Sequence, residues 1–289
     1  MAERRSPSVR ARQLAAELRR LREETTLTGE EAADRLGWSP SKVSRIETGK
    51  TTVTGGDLRR LLDLYEVSGA RRDRLAELGR TAQQRGWWDA YTGTITSGFS
   101  TLIALEGDAE SERHYAPIII PGLLQTEQYA EVVTRATNIM VPPGEITRIT
   151  TARMIRQKVL TRSKPLPKPL QLTVVLDEAS LRRQIGGDDI MREQLMHLVE
   201  LARQPNITIQ VLPFSRGPHL AISGGFTLLQ FPEAAASGVV FLENMTSELF
   251  VEREDEVYRY GLAFDRLLEL SLDPEDSENF FIRLANDYQ

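Results

Sequence analysis

The sequence predicts two domains of different class: an all-α N-terminal domain of five short helices, then a larger α+β domain with a mixed sheet of about five strands. Three observations predict this. The chain has 289 residues, more than one ordinary domain of roughly 100–200 residues needs. Apolar residues recur at helical spacing up to about residue 85, whereas β-favouring runs bounded by Pro, Gly or Asn begin only near residue 170. Charge is also divided: residues 1–85 hold 18 Lys and Arg against 13 Asp and Glu, a balance of +5, and the remainder holds a balance of −10. A basic head on an acidic body points to nucleic acid as the head's partner, or else to chance variation in surface charge.

The elements follow in order. The first ten residues, MAERRSPSVR, are polar and expected to fray. Leu14, Leu18 and Leu21 mark a first helix. Thr28 precedes Glu30, Glu31, Ala32, Ala33 and Leu36, and Gly37 closes that segment. Ser39 and Pro40 are an N-cap and first-turn pair opening a helix over Ser41–Thr48, which Gly49 ends. Leu58, Leu61, Leu62 and Tyr65 give a fourth apolar face, and Leu75 with Leu78 a fifth. Residues 1–85 are therefore the first domain. Residues 86–100, GWWDAYTGTITSGFS, read as a connector, in which Trp87 and Trp88 either pack the linker or line a pocket.

Residues 101–289 form the second domain. Leu102–His114, Leu123–Ala136 and Ile146–Leu160 read as helical. Ser163–Pro169, SKPLPKP, cannot be helix, and is either the lead-in to a strand or a polyproline ligand. Strands are expected at Leu170–Leu176, Ile207–Leu212, Phe226–Phe231, Val239–Leu242 and Glu248–Glu252. Helical patterns at Glu178–Ile185 and Ile190–Gln204 permit a right-handed β–α–β crossover between the first two strands. The last three strands suggest an antiparallel meander, and helices over Asp255–Ser271 and Asp276–Tyr288 end the chain.

Several chemistries are excluded. The absence of cysteine removes disulfides, thiolate metal sites and cysteine nucleophiles, and fits a reducing cytoplasm. No apolar run reaches the roughly 20 residues of a membrane span, and the basic N-terminus lacks the apolar core of a signal peptide, so a cytoplasmic protein with no membrane contact is expected. His114, His197 and His219 show no metal-ligand spacing, and His197 reads as an ordinary residue of an amphipathic helix. The Gly pairs at 186–187 and 224–225 match no nucleotide-binding fingerprint, and no G-x-S-x-G is present. No metal, no cofactor and no enzymatic activity are expected.

Residues 27–50 carry the most information: LTGEEAADRLGWSPSKVSRIETGK. Ala32 and Ala33 let two helices approach, and Leu36, Val43 and Ile46 supply apolar contacts across a short Gly-containing turn. This is a helix-turn-helix pattern. Its second helix exposes Ser41, Lys42, Ser44 and Arg45, groups able to read base edges and phosphates in a major groove. The A-x-x-L-G-x-S block followed by V-S-R-I-E-x-G-K resembles the phage-repressor and XRE-type helix-turn-helix family over residues ~12–66. The resemblance implies base contacts from Pro40, Ser41, Lys42 and Arg45, with Pro40 a departure because it lacks hydrogen-bonding side-chain atoms. The candidate contacts to double-stranded DNA are thus Thr28, Ser39, Pro40, Ser41, Lys42, Ser44, Arg45 and Lys50. The resemblance also implies a structural ion pair between Arg22 and Glu47, and binding as a homodimer.

From about Gly86 onward the blocks GWWDAY, PIIIPGLLQTEQYA, RMIRQKVL, DEASLRRQIGG, MREQLMHLVELA, PNITIQVLPFSRGPH and GGFTLLQFP occur in order. They resemble actinobacterial helix-turn-helix regulators that carry a C-terminal domain of unknown function. That resemblance implies a transcription regulator, such as a repressor, often encoded beside a small partner protein. An antitoxin-like role is the alternative, in which the second domain sequesters that small protein and DNA binding autoregulates the pair. Within this domain Arg153, Arg156 and Gln157 share a helix and can bind an anionic ligand or partner, or pair with the domain's own carboxylates. His219, in the SRGPH loop, is the histidine placed to face a pocket for an unidentified small molecule.

Overall fold

A computed structural model describes residues 9–51, 53–82, 86–138, 141–162, 168–232 and 238–288. The MAERRSPS start and residues 163–167 of the SKPLPKP segment lie outside them, as does the 85/86 boundary on its N-terminal side. The described residues up to Ala90, with Ser97–Leu105, form one compact unit, and Tyr91–Thr96 with the described residues from Glu106 onward form a second.

The first unit contains five helices in succession: α1 (Val9–Glu24), α2 (Gly29–Leu36), α3 (Pro40–Glu47), α4 (Gly55–Leu64) and α5 (Gly69–Ala82). Their apolar stripes meet in one core built on Leu14, Leu18, Leu36, Ile46, Leu61 and Leu75. Each tight connection has a local cause. Thr54 caps α4 by accepting from the Asp57 backbone N–H at 3.1 Å. Thr26 and Glu66 take left-handed backbone (φ 58° and 55°) just after α1 and α4, closing both helices without glycine. At Gly79 an added Cβ would lie 2.3 Å from Leu58 Cδ2, so any larger residue there makes the Leu58 side chain move. A 3₁₀ turn follows at Trp87–Tyr91, and helix α6 runs from Ser97 to Asp108. Part of the stretch read as connector is therefore helical, since Ser97–Ser100 are the first turn of α6.

The second unit is built on a six-stranded mixed sheet in the order β3-β2-β1-β4-β5-β6. Its strands are β1 (Ser111–Ala116), β2 (Gln171–Asp177), β3 (Ile207–Leu212), β4 (Phe226–Gln230), β5 (Val239–Glu243) and β6 (Glu248–Val251). The first three run parallel, with His114 opposite Val174 and Val174 opposite Ile209. The last three form the antiparallel meander, with Leu228 opposite Val240 and Val240 opposite Val251. β1 joins the two halves by pairing antiparallel with β4. This corrects the expected helix over Leu102–His114. That helix ends at Asp108, and Ser111–Ala116 become a central strand with a hydrogen-bonded neighbour on either side.

Helices α7 (Glu127–Thr137) and α8 (Pro143–Arg156) connect β1 to β2, and α9 (Glu178–Arg182) and α10 (Asp188–Ala202) connect β2 to β3. Short 3₁₀ turns at Gly122–Leu124 and Gln157–Leu160 replace the ends of the longer helices expected there. α11 (Glu254–Leu270) and α12 (Pro274–Asn286) end the described chain. One sheet face carries Tyr115, Val175, Phe226 and Val240, which pack against Phe264 and Leu267 of α11. Strand alternation puts Glu112 and His114 on the opposite face of β1.

Candidate nucleic-acid interface

The turn between α2 and α3 is fixed by three local devices. Thr28 and Glu31 form a reciprocal capping box: Thr28 Oγ1 accepts from the Glu31 N–H at 3.2 Å, and Glu31 Oε2 accepts from the Thr28 N–H at 2.8 Å. Thr28 Oγ1 also donates to Glu31 Oε2 at 2.9 Å, so both capacities of this hydroxyl are used within the cap. At the other end of α2, Gly37 takes left-handed backbone (φ 68°) and the Trp38 N–H reaches Ala33 O at 2.8 Å. Ser39 then caps α3 by accepting from the Lys42 N–H at 3.3 Å, and Pro40 fills the first-turn position where no backbone donor is needed.

These devices turn one face of α3 inward, with Val43 and Ile46 buried, and leave Pro40, Ser41, Ser44 and Arg45 exposed. Ser41 Oγ lies 3.1 Å from Ser39 Oγ. Arg45 and Lys50, both exposed, make no ion pair with any described residue. Lys42 differs: its ammonium sits 2.9 Å from Asp57 Oδ1, on the first turn of α4, and 3.8 Å from the centroid of the Trp38 ring. Arg60 lies over the same indole at 5.2 Å and donates to Leu36 O at the end of α2. Trp38, Asp57 and Arg60 are not distinguishable as site residues by sequence pattern, because Asp57 occupies an ordinary first-turn acidic position and its partner lies on another helix.

Arg22 anchors α3 from behind. Its Nε donates to Glu47 Oε1 at 2.8 Å, its Nη2 to Glu47 Oε2 at 3.0 Å, and its Nη1 to Leu27 O at 2.7 Å. The hydrogen bonds to Glu47 hold the guanidinium above its ordinary pKa. The two side chains are only 14 % and 8 % exposed, near the buried limit for an ion pair. Glu47→Ala leaves the Arg22 charge without its carboxylate, so it is expected to destabilise the first unit by about 3 kcal/mol, toward the range for broken buried pairs. Urea unfolding of the variant measures this, and unchanged stability with lost DNA binding would place Glu47 at the DNA instead.

The second-unit candidates do not converge. Arg156 is turned inward and buried, with Nε donating to Glu106 Oε2 at 2.6 Å and Nη2 to the other carboxylate oxygen. Gln157 Nε2 donates to the carbonyls of Gly122 (2.9 Å) and Gln125 (2.7 Å). Arg153 approaches the same Gly122, where an added Cβ would lie 3.7 Å from its Nη1. The RMIRQ block thus ties α8 to the PGLLQ turn, and the expected anion-binding face of Arg156 and Gln157 gives way to interior pairing with Glu106 and with backbone. Glu106 and Glu112 are both pushed up to about 7 by burial, with the Arg156 charge opposing, while burial holds His114 down to about 4. His219 lies on the other sheet face, its Nε2 3.2 Å from the Tyr115 hydroxyl, which also donates to Asp177 Oδ2 at 3.2 Å. With Pro218, Leu220, Arg266 and Leu270 it lines an open cavity of about 360 Å³. No group of three or more acidic or histidine side chains with metal-site geometry occurs among the described residues, and no helix there is long and apolar enough to cross a membrane.

A capped helix, a glycine turn and a second helix with an outward polar face define the first unit as an XRE-type helix-turn-helix domain, the DNA-binding part of a transcription regulator. Residues 13–75 match a family described as "Helix-turn-helix domain", and residues 99–283 match one described as "Domain of unknown function (DUF5753)". The second match covers more than half of the chain, and the protein belongs to the DUF5753 family. No curated protein and no solved structure matches it.

Proposed function

We propose that the protein is a sequence-specific regulator that lays α3 in the major groove of its operator. The observation that carries this reading is the uncommitted outer face of α3, where Ser41, Ser44 and Arg45 are exposed and Arg45 pairs with no described carboxylate. Arginine reaching guanine in bidentate fashion is the commonest specific contact of such helices. Pro40 offers only apolar contact there, while Ser39 and Thr28 act first as caps. Lys50, past the end of α3, serves as a phosphate anchor. Arg45→Ala is expected to weaken binding to a selected operator by about 1–3 kcal/mol and to relax preference at one position per half-site. Lys50→Ala should weaken binding to all sequences alike. Selection from random duplex followed by titration compares the two. Equal changes in sequence preference would remove the division into reader and anchor.

The protein acts as a homodimer on two half-sites, with the second unit supporting dimerisation and receiving a regulatory signal. Exposed Leu220 lines the His219 cavity, and Phe214 and Ile222, nearby in sequence, are exposed too, which favours an apolar protein surface over a small polar molecule as the second unit's partner. That same observation keeps the antitoxin-like reading in play. Co-purification with the neighbouring gene's product separates them: a stable stoichiometric complex supports a protein partner, and its absence supports a small-molecule signal.

A further inference from the structure

Lys42 has the residue type of a DNA contact but the surroundings of a tethered group. Its ammonium is held between two partners from different elements, Asp57 Oδ1 at 2.9 Å and the Trp38 ring at 3.8 Å, and its side chain is only 35 % exposed. Asp57 is more buried still, at 20 %. The helix start does not need this carboxylate as a cap, because Thr54 Oγ1 already accepts from the Asp57 N–H at 3.1 Å. An ammonium is a compact point charge on a flexible stem, so it seeks the densest negative charge within reach. Against duplex DNA that would be a phosphate, unless a carboxylate and an aromatic face hold it back.

We infer that Asp57 is a positioning residue that limits DNA affinity, holding Lys42 on the Trp38 ring and away from the DNA backbone. This rests on the reading that α3 enters the major groove. The clamp cancels one cation beside the reading helix. Sequence-independent attraction falls by one phosphate contact per head, while Ser41, Ser44 and Arg45 keep their access to base edges. Affinity for the operator and for other DNA falls alike, so the clamp sets the strength and salt dependence of binding and leaves sequence preference to Ser41, Ser44 and Arg45.

The test uses the full chain and mixed-sequence duplex DNA, titrated across a range of salt concentrations. Wild type, Asp57→Asn, Lys42→Met and the double variant are compared. One additional phosphate contact steepens the slope of log K against log salt by about 0.9 and raises affinity about eightfold at 0.1 M salt. Asp57→Asn should show both changes per bound head. Lys42→Met should change affinity less than twofold, because the ammonium is not spent on phosphate in the wild type. The double variant should return to the Lys42→Met value. An equal gain from Asp57→Asn in the Lys42→Met background would show simple removal of a repelling anion, and overturn the clamp. So would a flattened slope in Lys42→Met alone, a result that stands even if the Asp57 variant folds poorly. Absence of any salt-dependent duplex binding by the wild type overturns the groove-reading function and the clamp with it. Normal wild-type binding combined with a failed cycle overturns the clamp alone.

Discussion

Replacing Arg156 by alanine is expected to destabilise the second unit by about 3–5 kcal/mol, the cost of leaving a buried carboxylate without its partner. The pair is sequestered, with side chains 7 % and 1 % exposed, and Glu112 is buried beside it. Removing the guanidinium leaves two carboxyl groups facing each other in a medium that solvates neither. The molecule can relieve this only by protonation, so the cost should depend on pH. Burial already raises Glu106 and Glu112 to about 7, well above the ordinary carboxylate value, even with Arg156 present. A carboxyl whose pKa is raised by folding contributes stability that is present below its unfolded pKa and is lost as pH rises through its folded one. Wild-type stability attributable to this pair should therefore fall as pH climbs from about 4.5 to about 7. His114, held down to about 4, acts oppositely below its ordinary 6.5, so the carboxyl effect stands alone only from about pH 6.5 to about 7. Arg156→Ala should cost more at pH 8 than at pH 5.5, where protonation spares the second unit the worst of the repulsion. Urea titrations at the two values check this. A loss below 1 kcal/mol at both would return Arg156 to the list of ligand-binding candidates.

The affinity of the full chain for its operator should fall roughly 10³–10⁵-fold between 50 and 200 mM salt, if the proposed dimer touches on the order of 10 phosphates. The cations that release counterions belong to residues 1–85, whose balance is +5, and the acidic remainder contributes repulsion. At 0.15 M salt the screening length is about 8 Å, so that repulsion is mostly damped. A fragment ending at Leu105 retains every described residue of the first unit. It should keep the base preference and the slope per head, yet bind more weakly, because two linked heads gain an effective concentration that free heads lack. Titrating both proteins on one operator at 0.15 M salt decides the matter. Equal affinities would mean that the second unit neither dimerises the protein nor positions its heads.

Local signals carried most of the first unit. The caps Thr28 and Ser39 and the terminator Gly37 act within four residues of themselves, so their sequence neighbourhood is their structural neighbourhood. The site was legible to the same depth. Inward Val43 and Ile46, with outward Ser41, Ser44 and Arg45, follow from helical periodicity alone. The fate of Lys42 does not, because Asp57 lies 15 residues further on and Trp38 sits in the turn before the helix. In the second unit the strand SERHYA was hidden for a similar reason. Glu, Arg and His in succession look like a solvated helix, and the Arg156 charge that opposes the burial of Glu112 is brought in from α8. The hydrophobic strands β2 to β5 needed no such distant partner and were visible as apolar runs between breakers.

The place of β1 in the sheet has a consequence for how the chain is made. It is the first strand to leave the ribosome, yet it lies in the interior of the sheet, with β2 on one side and β4 on the other. Its register partner Thr227 lies 113 residues beyond His114. At roughly 5–20 residues per second, β1 waits on the order of 5–20 s for that neighbour. The five N-terminal helices complete their contacts within the first 75 or so residues, so they can fold during that interval. Until β4 emerges, β1 keeps one open edge, a half-sheet prone to pairing with other nascent chains. Nascent chains halted before Phe226 are therefore the vulnerable species, with a finished DNA-binding head tethered to an unfinished sheet.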